Sequence, residues 1–278
     1  MFNLMAMEKI IEIEKVSFNY LNHHIALSDI SMHIAKGEIF TIIGSNGSGK
    51  STLLSILGGL LFPDSGIVRF KNIEINERKL KDQSFNRFFR TSIGFIFQNP
   101  DSQLFCPTVL DELLFAPLQL GIDQPEALSK AEEIMVMLDI ANLKDRPTYM
   151  LSGGEKKRVA IGSVLTMNPE VLILDEPTSG LDPKTRSFLI ELLFRLNEAG
   201  KTIIISTHNL ELIDHFQSKV GVLSEMHTLE KIGCADEILG DVEFLVRMNL
   251  ISDQIHRHGN HLHKHIPSSL ISHKHSKG

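Results

Sequence analysis

Gly44-Ser45-Asn46-Gly47-Ser48-Gly49-Lys50-Ser51-Thr52 follows the apolar run from Ile39 to Ile43 and precedes Leu53, Leu54, Ile56, Leu57 and Leu60 at helical spacing. The stretch therefore reads as buried strand, loop and helix, the setting that the pattern G-x-x-x-x-G-K-[ST] needs to bind phosphate. Glycines at 44, 47 and 49 let the backbone wrap closely, so that successive N–H groups converge on an anion and the helix N-terminus adds its partial positive charge. Lys50 is placed to neutralise the β- and γ-phosphates of a nucleoside triphosphate, and Ser51 to coordinate Mg²⁺. Without the flanking strand and helix the loop would be an ordinary Gly/Ser turn.

A second buried strand, Val171 to Leu174, ends in Asp175-Glu176, and a third runs from Thr202 to Ser206. An acid at the C-terminal end of a parallel strand can reach a Mg²⁺ shell, and Glu176 beside it projects toward an attacking water. Taken alone, two acids at a strand end are equally a solvated pair. Ile10 to Phe18 and Gly66 to Ile75 alternate as antiparallel strands. Between about Asn99 and Met167 the residues fall at helical spacing, most clearly from Glu126 to Leu138, with no strong strand signal. The fold expected is α/β with an antiparallel β subdomain and an inserted helical subdomain.

Composition narrows the function classes. The 278 residues are 42% hydrophobic and 22% charged, ordinary for a globular chain, and the net charge of -6 argues against a nucleic-acid partner. Cys106 and Cys234 form no CxxC pairing, which fits a reducing cytoplasm. The N-terminal stretch lacks a secretory pattern. Leu53 to Phe62, the most apolar segment, is half the roughly 20 residues of a membrane span.

Leu151-Ser152-Gly153-Gly154-Glu155, by itself a helix N-cap, is followed by the Asp175-Glu176 strand, then Pro177-Thr178-Ser179-Gly180-Leu181-Asp182 and Thr207-His208. In this order and spacing the chain resembles the ABC ATPases, from about residue 10 to 240. The resemblance implies a phosphate-loop NTPase core of ABC type over 1–240, with a helical subdomain at about 99–167, and a C-terminal extension over 241–278. It implies ATP and Mg²⁺ as cofactors and hydrolysis coupled to transport. Glu176 is then the general base or water-orienting residue, and His208 contacts the γ-phosphate. Ser152, Gly153 and Gly154 bind the ATP of a second ATPase subunit in a head-to-tail dimer, most simply a homodimer. Asp182 communicates between the two sites, and Gln98 links Mg²⁺ to the integral membrane partner. Tyr20 is expected as the adenine platform, although its place on the strand face of Phe18 also suits simple packing. The implied location is peripheral, on the cytoplasmic face of the cell membrane.

Gly94-Phe-Ile-Phe-Gln98-Asn-Pro-Asp-Ser-Gln103-Leu-Phe105, continuing through Phe115-Ala-Pro117-Leu-Gln-Leu-Gly121, is similar to the energy-coupling-factor branch of ABC importers. There this segment receives a short helix of the membrane subunit, although some of its Phe and Leu residues pack the subdomain itself. From Gln254 to Gly278 the chain holds seven of its thirteen histidines, four Lys or Arg and no acid. His256, His258, His261, His263 and His265 suit Co²⁺ or Ni²⁺, which within this branch points to cobalt or nickel uptake, while a tail that merely solubilises has the same composition. A vitamin-importing member, or a soluble non-transport ABC ATPase, is the alternative. One departure stands out. After Val220 to Leu223 family members usually carry a Gly-rich hairpin, whereas this chain has Ser224-Glu-Met-His-Thr-Leu-Glu-Lys231.

Overall fold

The computed structural model describes residues 8–21, 24–251, 255–258 and 261–264. In chain order the elements are β1 (Lys9–Tyr20), β2 (His24–Ala35), β3 (Ile39–Gly44), α1 (Lys50–Leu57), β4 (Ser65–Phe70), β5 (Ile73–Glu74), α2 (Glu77–Leu80) and α3 (Gln83–Ser92). These are followed by β6 (Ile93–Ile96), α4 (Val109–Gln119), α5 (Gln124–Met137), α6 (Gly153–Leu165), β7 (Val171–Asp175), α7 (Pro183–Glu198), β8 (Thr202–Thr207) and α8 (Leu210–Phe216). The chain continues through β9 (Lys219–Leu223), β10 (Leu229–Cys234), α9 (Ala235–Gly240), α10 (Val242–Arg247), β11 (Ile255–His258) and β12 (His261–Lys264).

β3, β7 and β8 are buried at every position, as their continuous apolar sequences require for strands covered on both faces. They lie in a six-stranded sheet of order β10-β9-β3-β8-β7-β6. Its pairings are parallel except for β9 with β10, and β3 sits beside β8 so that the phosphate loop and the end of β7 open on one edge. The antiparallel sheet has order β2-β1-β4-β5. Ile11, Ile13, Val16, Ile30 and Ile34 of that sheet join Leu53, Leu54 and Leu57 of α1 in one core, which fixes the angle at which the loop meets its helix.

The strand expected from Gly66 to Ile75 is broken. Lys71 and Asn72 adopt φ of 50° and 62°, a tight turn between β4 and β5 that Asn tolerates better than most side chains. β2 carries no clear strand pattern in the sequence, yet it pairs along most of β1. Between 99 and 167 α4, α5 and α6 pack through Leu113, Ala131, Met135, Val159 and Ile161. The packed body also runs past 240. Phe244 and Leu245 of α10 are buried in one cluster with Ile43, Ile213, Val222 and Ile238, with α10 packed on α9 and α9 on β9.

Candidate active site

Loop 44–49 is held by its own glycines. Gly49 sits at φ 104°, and a Cβ there would lie 2.1 Å from the Ala26 carbonyl oxygen, so no other residue fits between α1 and β2. Lys50 enters α1 buried, and its Nζ donates to the carbonyls of Gly44 (2.9 Å) and Ser45 (3.0 Å). Burial lowers its pKa, opposed by the charges of Glu176 and Asp175, which places both carboxylates near the ammonium. The hydroxyls of Ser45 and Ser48 are buried without a partner in the loop, spare donors at the place where an anion would be cradled.

One hydroxyl holds the Asp175 carboxylate and the Glu176 backbone. Ser206 Oγ donates to Asp175 Oδ1 and accepts from the Glu176 N–H (3.0 Å), which locks the end of β7 to β8. Glu176 takes φ 43°, a left-handed conformation that costs a non-glycine residue about 1 kcal/mol, and this turns its side chain away from the strand direction. Glu176 Oε1 then lies 2.9 Å from His208 Nδ1. The carboxylate is buried while the imidazole is more than half exposed, so the pair spans the boundary between core and cleft.

The structure brings most of the expected residues into one cleft of about 540 Å³, lined by Tyr20, Asn46, Gly47, Gly49, Lys50, Ser51, Thr52, Gln98, Glu176 and His208. Tyr20 Oη lies 3.3 Å from Thr52 Oγ1, and its ring meets Phe18 edge-on with centroids 4.9 Å apart. Packing and a face open to the cleft therefore coexist at Tyr20, which is 44% exposed. Asp175 lies behind the cleft wall, 8% exposed. Its oxygens, the Ser51 hydroxyl and the Gln98 amide oxygen are hard donors of the kind Mg²⁺ takes, so the residues fit that ion.

Ser152, Gly153, Gly154 and Asp182 are elsewhere. They line a separate open cavity of about 800 Å³ with Thr185 and Arg158. Ser152 caps α6 in a capping box, donating its backbone N–H to Glu155 Oε2 (2.7 Å) and accepting from the Glu155 N–H. Asp182 caps α7, and the Thr185 hydroxyl and N–H hold its carboxyl below the usual range. None of these four residues lines the first cleft. His256, His258, His261 and His263 fall in the pair β11–β12, in register His256 with His263 and His258 with His261. His265 lies outside the described residues.

Several participants carried no sequence signal. Ser206 is hidden in an apolar strand, and Lys157 looked like one of three basic residues in a row. Yet Lys157 Nζ donates to the carbonyls of Phe97 (3.0 Å) and Gln98 (3.2 Å), tying α6 to the segment that carries Gln98. His24, Ala26 and His227 also line the cleft.

Comparison with known proteins agrees with this geometry. The ABC transporter family model matches residues 27–179. A Methanosarcina acetivorans protein named for ATP binding in an ABC transporter is 46% identical over 256 residues, 91% of this chain and 93% of that one. The energy-coupling factor transporter ATP-binding protein EcfA of Methanocaldococcus jannaschii is 38% identical over 87% of this chain and 85% of its own. Among solved structures, CbiO1 of Clostridium perfringens, part of the ABC transporter complex cbiONQ, superposes with TM-score 0.74 at 37% identity, over 87% of this chain and 95% of that one. A dimeric ATP-binding cassette bound to ADP and Pi superposes with TM-score 0.73 at 30% identity, over 81% and 98%. The chain belongs to the ABC transporter family. It is an ATPase subunit of the energy-coupling-factor type, binding ATP and coupling its hydrolysis to transport.

Proposed function

We propose that this subunit powers the import of cobalt or nickel ions, working as a head-to-tail homodimer against integral membrane subunits on the cytoplasmic face of the membrane. The observation that carries the catalytic part is the convergence of Lys50, Ser51, Gln98, Glu176 and His208 on one cleft while Ser152 to Gly154 face outward in another. Glu176 orients or deprotonates the attacking water, and His208, held by Glu176, reaches the γ-phosphate. Lys50 and the loop N–H groups neutralise the phosphates, and Tyr20 stacks on adenine. Ser51, Asp175 and Gln98 would hold Mg²⁺, which when bound supplies charge neutralisation between the β- and γ-phosphates. Ser152, Gly153 and Gly154 complete the site of the second copy, with Asp182 at the seam.

Docking is supported by an apolar groove of about 270 Å³ lined by Phe95, Phe105, Phe115, Leu120, Val164 and Met167. Phe105 and Phe115 meet edge-on at 4.7 Å and remain exposed, which suits a short helix from the membrane subunit. No helix among the described residues is long and apolar enough to cross a membrane. The metal reading is supported by the pairing of four histidines in β11–β12, since imidazole suits Co²⁺ and Ni²⁺. Such a tail buffers or senses metal, while selection of the ion belongs to the membrane partner.

Titration of Co²⁺ and Ni²⁺ into the full chain and into a chain truncated after residue 250 tests the metal reading. Micromolar binding lost on truncation is expected, and equal heats from both proteins would remove it. Capture of a small integral membrane protein that F105A/F115A fails to retain is the expected result for docking, and unchanged capture would refute that groove.

A further inference from the structure

We infer that His227 is a nucleotide-binding residue, its Nε2–H donating to a phosphate oxygen of the ATP bound in the same chain. The inference rests on the ATP site described above and adds a group to it.

The turn between β9 and β10 is where the sequence departs from a Gly-rich hairpin, and His227 occupies its left-handed position with φ 63°. Glycine is the residue that meets this conformation without strain, and histidine pays about 1 kcal/mol to sit there. The turn is nevertheless fixed at several points. His227 N–H donates to the Ser224 carbonyl (3.0 Å), Ser224 N–H donates to the Thr228 carbonyl (3.0 Å), and Ser28 N–H on β2 donates to the His227 carbonyl (2.9 Å). β9 delivers the turn to the phosphate loop, because Leu223 pairs with Gly44, the first residue of that loop.

His227 lines the nucleotide cleft together with Asn46, Gly47 and Lys50. Its Nδ1 is buried with no hydrogen-bond partner. A neutral ring with its proton on Nε2 leaves only a lone pair unsatisfied at Nδ1, whereas the other tautomer or the imidazolium would bury an unpaired N–H. The tautomer with Nε2–H is the one that suits this burial, Nε2 is the nitrogen left for a ligand in the cleft, and the nearest family of acceptors any nucleotide brings to Asn46 and Gly47 is its phosphates. A strained backbone that presents a donor to a binding cleft is the pattern by which strain marks function.

The test uses full-length H227G and H227N, both compatible with a left-handed turn. Binding of ATP and of inorganic triphosphate is measured by competition against a fluorescent ATP analogue, alongside nucleotide-free melting temperature. Both variants should melt at or above the wild-type temperature and bind ATP and triphosphate about tenfold more weakly, the loss of one hydrogen bond to a charged group. ATP affinity within twofold of wild type in both variants would overturn the assignment. Weakened ATP with unchanged triphosphate binding would overturn it too, since the contact would then be to the nucleoside. Failure of the wild-type protein to bind ATP would instead strike the ATP site itself, and is seen before any variant is made.

Discussion

Lys157→Met separates an electrostatic role for this side chain from a packing one. Lys157 is 3% exposed on α6, and its Nζ donates to the carbonyls of Phe97 and Gln98. Burial, against the attraction of Asp175, brings its pKa down to about 8. In the unfolded chain the value returns to about 10.4. The unfolded state then binds the proton more tightly through that window, so native stability rises with pH between about 8 and 10.4, by at most about 1.4 kcal/mol per unit, and is unaffected by this group below it. Integrated from pH 8 to 9.5, the gain is roughly 1.5 kcal/mol, and a methionine has no such gain. At pH 7 the variant loses two hydrogen bonds but also the cost of burying the ammonium, so its stability should stay within about 2 kcal/mol of wild type. Urea unfolding of both proteins at pH 8 and 9.5 reads the difference directly. The wild-type advantage should grow by about 1.5 kcal/mol, and curves that stay parallel to within about 0.5 kcal/mol would refute the buried-ammonium argument. Turnover should fall several-fold with little change in KM, as the Gln98 segment loses its tether.

Glu176→Gln should abolish ATP turnover while leaving ATP binding intact and the ATP-dependent dimer long-lived in gel filtration; retained turnover would remove the role given to Glu176. Gly49→Ala drives a methyl into the Ala26 carbonyl and should abolish ATP binding in equilibrium titration. Glu112 is buried and accepts from the N–H groups of Phe105 (3.0 Å) and Cys106 (2.8 Å), so Glu112→Ala should cost about 2 kcal/mol in denaturant unfolding by leaving both unpaired. Burial and the Glu112 charge push the Cys106 thiol up to about 11, whereas Cys234 is exposed. A thiol reagent at pH 8 should therefore titrate one cysteine in the native chain and two in urea.

The central strands of the large sheet, though not their order, are legible in residues whose environment is written in their own pattern. Ile39 to Ile43, Val171 to Leu174 and Thr202 to Ser206 are apolar throughout because both faces are covered, and each proved a central parallel strand. β2 is hidden because Ala26-Leu27 and Ser28-Asp29 break its alternation, with Asp29 at φ 52°, and its register is imposed by β1 through several shifts. At the site, the phosphate loop and the acids at the end of β7 were legible because their spacing is local. Ser206 and Lys157 were not, since each acts only through a partner that the fold brings from at least 30 residues away. His227 showed in the sequence only as the absence of glycine from a turn.

The hydroxyl of Ser206 has a mechanical consequence. By holding the Asp175 carboxylate and the Glu176 backbone at once, it makes the tip of β7 and the strand that leads to His208 a single jaw. The phosphate loop forms the opposite jaw on the other side of the same strand, because β3 flanks β8. The groove beside α4 borders the same structure, since Ile93, Gly94 and Phe95 of β6 line it and β6 pairs with β7 along Ile93 to Ile96.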